Sequence, residues 1–110
     1  MKHVAPIMSA QGFGSIINTT SVAGQLAGYS SSTAYSVAKA AAIHFSQLVA
    51  MELGESGVRV NSLSPGAIPT GIFGKSIDGI SDDQAEKLGQ AMVPGFAKAQ
   101  PMHRAGKTDE

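Results

Sequence analysis

Apolar residues recur along the chain with two different periods, and each period predicts a different element. The run Gly14-Ser-Ile-Ile-Asn-Thr-Thr-Ser21 is short, β-branched and opened by Gly12 and Gly14, the pattern of a strand buried on both faces. From about Ser32 to Leu53 the apolar positions are Ala34, Val37, Ala38, Ala41, Phe45, Leu48 and Val49, which is helical spacing over several turns. Gly54 and Gly57 are candidates for the left-handed stop of that helix. Val58-Arg-Val-Asn-Ser-Leu63 then predicts a second strand, ended by Pro65-Gly66. A hairpin of two residues cannot join these strands, so the helix is expected as a right-handed crossover between parallel strands.

Outside this core, Ser81-Asp-Asp-Gln84 has the capping-box pattern, and its acidic first turn predicts a helix running toward Met92, ended or broken at Pro94-Gly95. Lys2 to Ala10 reads as the last turns of another helix, and Lys107-Thr-Asp-Glu110 as the start of one. Two parallel strands do not make a viable sheet, because parallel sheets carry several strands with helices on both faces. The chain is therefore expected to be part of a larger α/β domain with a doubly wound parallel sheet.

Composition narrows the function classes. The 110 residues are 43% hydrophobic and 15% charged, with 8 Lys plus Arg against 8 Asp plus Glu, enough for one domain at most. No basic tract supplies the phosphate neutralisation on which nucleic-acid binding depends. The absence of Cys removes disulfides and thiolate metal sites and fits a reducing compartment, and His3, His44 and His103 are too scattered for a metal cluster. No stretch reaches the roughly 18 apolar residues of a membrane span, and the first residues lack a signal peptide's apolar core, so a cytoplasmic protein is the expectation. Asn18-Thr19-Thr20 matches a glycosylation acceptor, yet it lies within the strand pattern, where modification is not expected.

In open α/β sheets ligands bind beyond the carboxyl ends of the strands. Ser21 ends the first strand, Tyr35 falls in the first turn or so of the crossover helix, and Pro65-Gly66 follows the second strand. Lys39 lies four residues after Tyr35, on the same helical face, with its side chain tilted back toward the phenol. A phenol is a poor base at neutral pH, and a cation beside it favours the phenolate. Together these groups suit proton transfer by Tyr35, with Ser21 hydrogen-bonding a substrate oxygen as charge develops there. The plainer reading of Tyr35 and Lys39 is a partly solvated surface pair.

The segments Gly14–Ser21, Tyr35-Ser-Val-Ala-Lys39, Val58-Arg-Val-Asn-Ser62 and Pro65-Gly-Ala-Ile-Pro-Thr70 occur in this order and spacing, and in this the chain resembles the short-chain dehydrogenase/reductase family along nearly its whole length. The resemblance implies a Rossmann-type domain and an NAD(P)-dependent oxidoreductase that interconverts a small-molecule alcohol and a carbonyl by hydride transfer. It implies that Tyr35 is the acid/base, that Ser21 positions the substrate oxygen, and that Lys39 assists the phenol and holds the nicotinamide ribose. It further implies that Pro65, Gly66, the main chain at Ile68 and the Thr70 hydroxyl hold the nicotinamide carboxamide, of NAD or NADP. Asn18 and Asn61 resemble the family's structural asparagines, and His103-Arg-Ala-Gly106 the short motif before its next helix. The family pairs subunits through the crossover helix, here 32–53, so Ala38, Ala42, Phe45 and Val49 face either a partner copy or the domain interior. Gln25, Tyr29, Ile72 and Phe73 flank the inferred site.

Several family features are missing. The Gly-rich phosphate loop, the residue that selects the adenosine ribose, the Asn-Asn-Ala-Gly segment and the proton-relay Asn do not occur, and Gly12-Phe13-Gly14 precedes a strand where the dinucleotide fingerprint must follow one. Residues 1–110 are therefore expected to be a single partial domain, the catalytic half without the phosphate-binding half, and inactive alone. The alternative is a catalytically inactive truncated chain that acts only in subunit assembly. Other chemistries fit worse. Ser36-Val-Ala-Lys39 matches an S-x-x-K nucleophile motif without its partner motifs. Ser64 is followed by Pro65, which cannot give the backbone N–H of a nucleophile elbow. Gly106-Lys-Thr108 lacks the first glycine of a phosphate loop, where Pro101 stands.

Overall fold

Strands β1 (Gly14–Thr19) and β2 (Val58–Leu63) pair in parallel, in a register that sets Gly14 opposite Val58 and Thr19 opposite Leu63. Between them runs the long helix expected as the crossover. The computed structural model describes residues 1–30, 32–75 and 77–110, in two units, Met1–Pro65 and Gly66–Glu110.

In the first unit, helix α1 (Val4–Gln11) is closed by Gly12 at φ 77°, and β1 follows. Helix α2 (Thr33–Leu53) starts at the cap Ser32, whose hydroxyl accepts from the Tyr35 N–H at 3.2 Å. Its end differs from expectation: Gly54 stays right-handed at φ −57°, a short 3-10 turn spans Gly54–Ser56, and Gly57 alone takes the left-handed conformation at φ 73°. Gly57 is required twice over, since a Cβ there would also collide with the carbonyl oxygen of Gly12.

The first strand is not buried on both faces. Along β1 exposed and half-buried residues alternate, and Ile17 is 65% exposed. Helix α2 lies on one face of the pair, where Val58 and Val60 are buried, while Arg59, Asn61 and Leu63 on the other face are exposed. A two-stranded sheet offers α2 a narrow platform, and the helix buries only Ser46 and Val49. Val37, Phe45, Leu48 and Met51 remain exposed, Met51 at 81%. The expected face Ala38, Ala42, Phe45 and Val49 is thus divided: Val49 packs inside the unit and Phe45 does not. The buried hydroxyl of Ser46 is satisfied by donating to the Ala42 carbonyl at 2.7 Å and accepting from Asn18 Nδ2 at 2.9 Å. That contact, which pins α2 to β1, also occupies the amide of the glycosylation-like triplet.

In the second unit, a 3-10 turn (Gly71–Phe73) packs on helix α3 (Asp82–Ala91), which is followed by helix α4 (Val93–Ala99). The capping box is present: Gln84 N donates to Ser81 Oγ at 3.3 Å and Ser81 N to Gln84 Oε1 at 2.8 Å. Pro94 breaks the helical path but does not stop it, because it falls in the first turn of α4, where its missing N–H leaves no bond unmade. Phe73, half-buried, packs on Phe96 with ring centroids 5.0 Å apart. Lys107–Glu110 is a turn and not the start of a helix. The Glu110 carboxylate accepts from the Lys107 N–H at 3.0 Å and from Arg104 Nη1 at 2.8 Å, drawing the segment back on itself.

Candidate active site at the strand ends

Beyond β1 and β2 the regular ladder stops, but the pairing does not. Thr20 N donates to Leu63 O at 2.7 Å and Val22 N to Pro65 O at 3.0 Å. Ser21 lies between these two bonds in extended conformation, φ −166° and ψ 150°. It is therefore held as rigidly as a strand residue although it is no longer in one. Its hydroxyl accepts from the Ala23 N–H at 3.2 Å, which caps the 3-10 turn Val22–Gly24 and leaves the hydroxyl proton to be donated elsewhere.

The turn is seated on α2 through Gly24. A Cβ at this position would lie 2.6 Å from the Lys39 carbonyl carbon and 2.7 Å from Ala40 N, so only glycine lets the Ser21 loop rest on the helix at Lys39. Tyr35, 38% exposed, and Lys39 project from the first two turns of that helix. The Lys39 ammonium lies 5.5 Å from the Tyr35 ring centroid and donates to the Thr19 carbonyl at 3.3 Å. Lys39 therefore joins the helix carrying Tyr35 to the strand that leads into Ser21. One of its three N–H donors is used in this bond.

A hydroxyl chain braces the same edge. Thr20, only 3% exposed, donates from Oγ1 to Leu63 O at 2.9 Å. Its oxygen is also 2.8 Å from Ser64 Oγ, which in turn accepts from Gln25 Nε2 at 3.2 Å. Sequence reasoning gave Gly24, Thr20 and Ser64 no part in holding this edge. Gly24 had a legible signal, a glycine three residues past the strand-ending serine, but Thr20 and Ser64 touch only because the strands pair in this register.

Pro65 closes the first unit, whereas Gly66, Ile68 and Thr70 belong to the second. There, α3 approaches the main chain of Thr70 through Gly89, where a Cβ would collide with the Thr70 carbonyl. Gly74 similarly makes room for Ala85, at 2.5 Å from a built Cβ to its Cα. Gly106 N donates to Ala67 O at 3.1 Å. These contacts fix the 67–74 segment, yet among the described residues the N–H and C=O of Ile68 and the hydroxyl of Thr70 make no hydrogen bond. An open groove of about 450 Å³ is lined by Thr70, Gly71, Ile72, Lys75, Asp82 and Glu86. Ile72 is 61% exposed and, in the first unit, Tyr29 is 43% exposed.

The resolved electrostatic shifts lie at the end of the second unit. The hydrogen bond from Arg104, with that from the Lys107 N–H, holds the Glu110 carboxyl down at about 2, and Glu110 raises Arg104 in return. Among the described residues no group of three or more His, Cys, Asp or Glu could hold a metal ion, and no helix is long and apolar enough to cross a membrane.

The whole chain, residues 1–110, matches the family model described as enoyl-(acyl carrier protein) reductase. A 3-oxoacyl-[acyl-carrier-protein] reductase of Synechocystis sp. is 48% identical over 109 residues, covering 99% of this chain and 38% of the relative. The gluconate 5-dehydrogenase of Burkholderia cenocepacia, solved with NADP and tartrate, superposes with a TM-score of 0.77 at 27% identity, over 98% of this chain and 38% of that one. An NAD⁺-bound xylitol dehydrogenase gives 0.73 at 28% identity, over 96% and 42%. The chain thus spans well under half the length of these proteins, and its parallel strands and crossover helix match part of a Rossmann-type fold.

Proposed function

The chain belongs to the short-chain dehydrogenase/reductase family, and from that premise we propose that it is the catalytic half of an NAD(P)-dependent oxidoreductase that interconverts an alcohol and a carbonyl. The observation that carries this reading is Lys39, which bridges the Tyr35 ring and the end of β1 next to Ser21. In the reductive direction the Tyr35 hydroxyl donates a proton to the carbonyl oxygen of the substrate, while the Ser21 hydroxyl hydrogen-bonds that oxygen as it gains charge. The oxidative direction reverses both transfers. A nicotinamide cofactor, when bound, supplies or takes the hydride.

Taken unit by unit, the residues present suit parts of such a cofactor. A carboxamide offers both donors and an acceptor, matching the unpaired N–H and C=O of Ile68 and the hydroxyl of Thr70. Lys39 keeps N–H donors for a ribose hydroxyl, and Pro65 follows the end of β2. Both NAD and NADP remain compatible, because no residue here selects between them. The phosphate-binding half lies outside these 110 residues in this proposal, and the chain alone has no turnover.

We place the enzyme in the cytoplasm, on the absence of Cys, and assign its subunit pairing to helix 32–53, on the exposure of Val37, Phe45 and Met51. That same exposure favours the second reading, an assembly chain without catalysis. Replacing Tyr35 by Phe in the longest natural protein that contains this chain separates the two. The enzyme reading requires alcohol oxidation and carbonyl reduction to fall about 10² to 10⁴-fold with folding retained. An unchanged rate in the folded variant, or no cofactor-dependent turnover in the parent protein, refutes it.

A further inference from the structure

The peptide joining Ala67 to Ile68 is fixed through its carbonyl. Ala67 O accepts from Gly106 N at 3.1 Å and from Gln100 Nε2 at 3.5 Å. No peptide bond among the described residues is cis, and across a trans peptide the C=O and the following N–H point in opposite directions. Donors that hold the Ala67 carbonyl therefore also aim the Ile68 N–H, which makes no hydrogen bond of its own among the described residues.

Gln100, half-buried and directly after α4, gathers these contacts. Its Nε2 faces three carbonyl oxygens: Arg104 O at 3.2 Å, Phe96 O at 3.4 Å and Ala67 O at 3.5 Å. Reversing the amide would set its oxygen against all three, so the partners decide which end is the nitrogen. Two N–H groups shared among three acceptors make the direct bond to Ala67 a weak one, and the other two contacts matter more. Phe96 O is among the last four carbonyls of α4, which lack a helical partner. Arg104 stands two residues before Gly106, so joining its carbonyl to the end of α4 folds the 100–106 turn back and brings Gly106 N to Ala67 O. The same turn is strained, with His103 at φ 51°, and its His103 N–H donates to Gln100 O at 2.9 Å. Packing leaves the turn little slack, since a Cβ at Gly106 would stand 3.1 Å from Ile68 Cγ1.

We infer that Gln100 is a positioning residue for the cofactor: by holding the 100–106 turn on Ala67, it sets the direction in which the Ile68 N–H is offered to a nicotinamide carboxamide. This deepens the oxidoreductase reading and rests on it.

The test compares two probes by calorimetry in the longest natural protein that contains this chain. One is NADH or NADPH, whichever binds more tightly; the other is ADP-ribose, or the phosphorylated ADP-ribose that matches NADPH, which lacks only the nicotinamide ring. Gln100→Met, similar in length and without the amide, should weaken the dinucleotide about three- to tenfold, the worth of a hydrogen bond, and ADP-ribose less than about twofold. Gln100→Asn keeps an amide too short to reach Ala67 and should show the same one-sided loss, which preserves the comparison if the methionine variant does not fold. A helix-capping role alone would lower the melting temperature and move both probes together. Equal losses for the two probes overturn the inference, as does unchanged dinucleotide binding in a folded variant. In either case the oxidoreductase reading stands. A parent protein to which the nicotinamide ring adds no affinity also overturns the role of Gln100, and one that binds neither probe refutes the oxidoreductase reading itself.

Discussion

Gly24→Ala should destabilise the first unit although the substitution adds one methyl group to a surface turn. Gly24 does not adopt a positive φ, so the exchange carries no backbone strain. By restricting the unfolded chain it should even stabilise, by about 0.4–1 kcal/mol. Against this, the new Cβ would stand 2.6 Å from the Lys39 carbonyl carbon, 2.7 Å from Ala40 N and 3.0 Å from Lys39 Cβ. Two of these three atoms are helix main chain and cannot swing aside. Either the turn lifts or α2 shifts, and overpacking of this kind costs about 1–3 kcal/mol. The steric term is the larger, leaving a net loss of about 1–2 kcal/mol and a midpoint lowered by roughly 4–15 °C for a unit of this size. Lifting the turn also separates Ser21 from Lys39, so the exchange protection of the Val22 amide, which donates to Pro65 O, should fall more than that of Val60 in β2. Thermal unfolding with amide hydrogen exchange measures both. An alanine variant as stable as the parent, with Val22 equally protected, would refute the argument that Gly24 seats the serine loop.

Ser46→Ala should cost about 1–3 kcal/mol in a denaturant titration, since it leaves the half-buried Asn18 amide without its acceptor; a neutral result would show that the contact does not pin α2 to β1. Ser81→Ala removes the cap of α3 and should lower the stability of that helix by about 1 kcal/mol, seen as lost protection of the Gln84 amide. Glu110, held down at about 2 chiefly by its hydrogen bond from Arg104, contributes fully above its ordinary pKa of 4.5, and its contribution is lost as pH falls through 2. A carboxyl-carbon NMR titration should therefore show Glu110 still ionised at pH 3, and a midpoint near 4.5 would mean the Arg104 contact is absent in solution.

The strand, helix and strand were legible because each depends on local pattern: β-branched runs for β1 and β2, and a 3.6 period for α2. What a run looks like when buried and what buries it are separate matters, however. Ile16-Ile17 reads as doubly buried, yet Ile17 is 65% exposed, because periodicity reports the environment a sequence suits and not whether that environment is within the same 110 residues. The same gap divided the apolar face of α2, where Val49 is covered and Phe45 is not. The end of the chain failed for a different reason. Four polar residues carry no period, and an ion pair from Arg104 decides their shape.

The candidate site shows the same division at the level of single groups. Tyr35 and Lys39 share a helix, so their approach follows from spacing alone, and Ser21 follows from its place at a strand end. The groups that hold them in place do not: Gly24 against Lys39 and Thr20 against Ser64 are contacts between elements, separated by 15 and 44 positions. Each is a small or hydroxyl side chain of a type common in turns, and nothing local marks it as required. Reactive side chains can be read from a sequence because their chemistry is rare. Their supports become visible only when the register is known, and it is the supports that give Ser21 its place at the strand end.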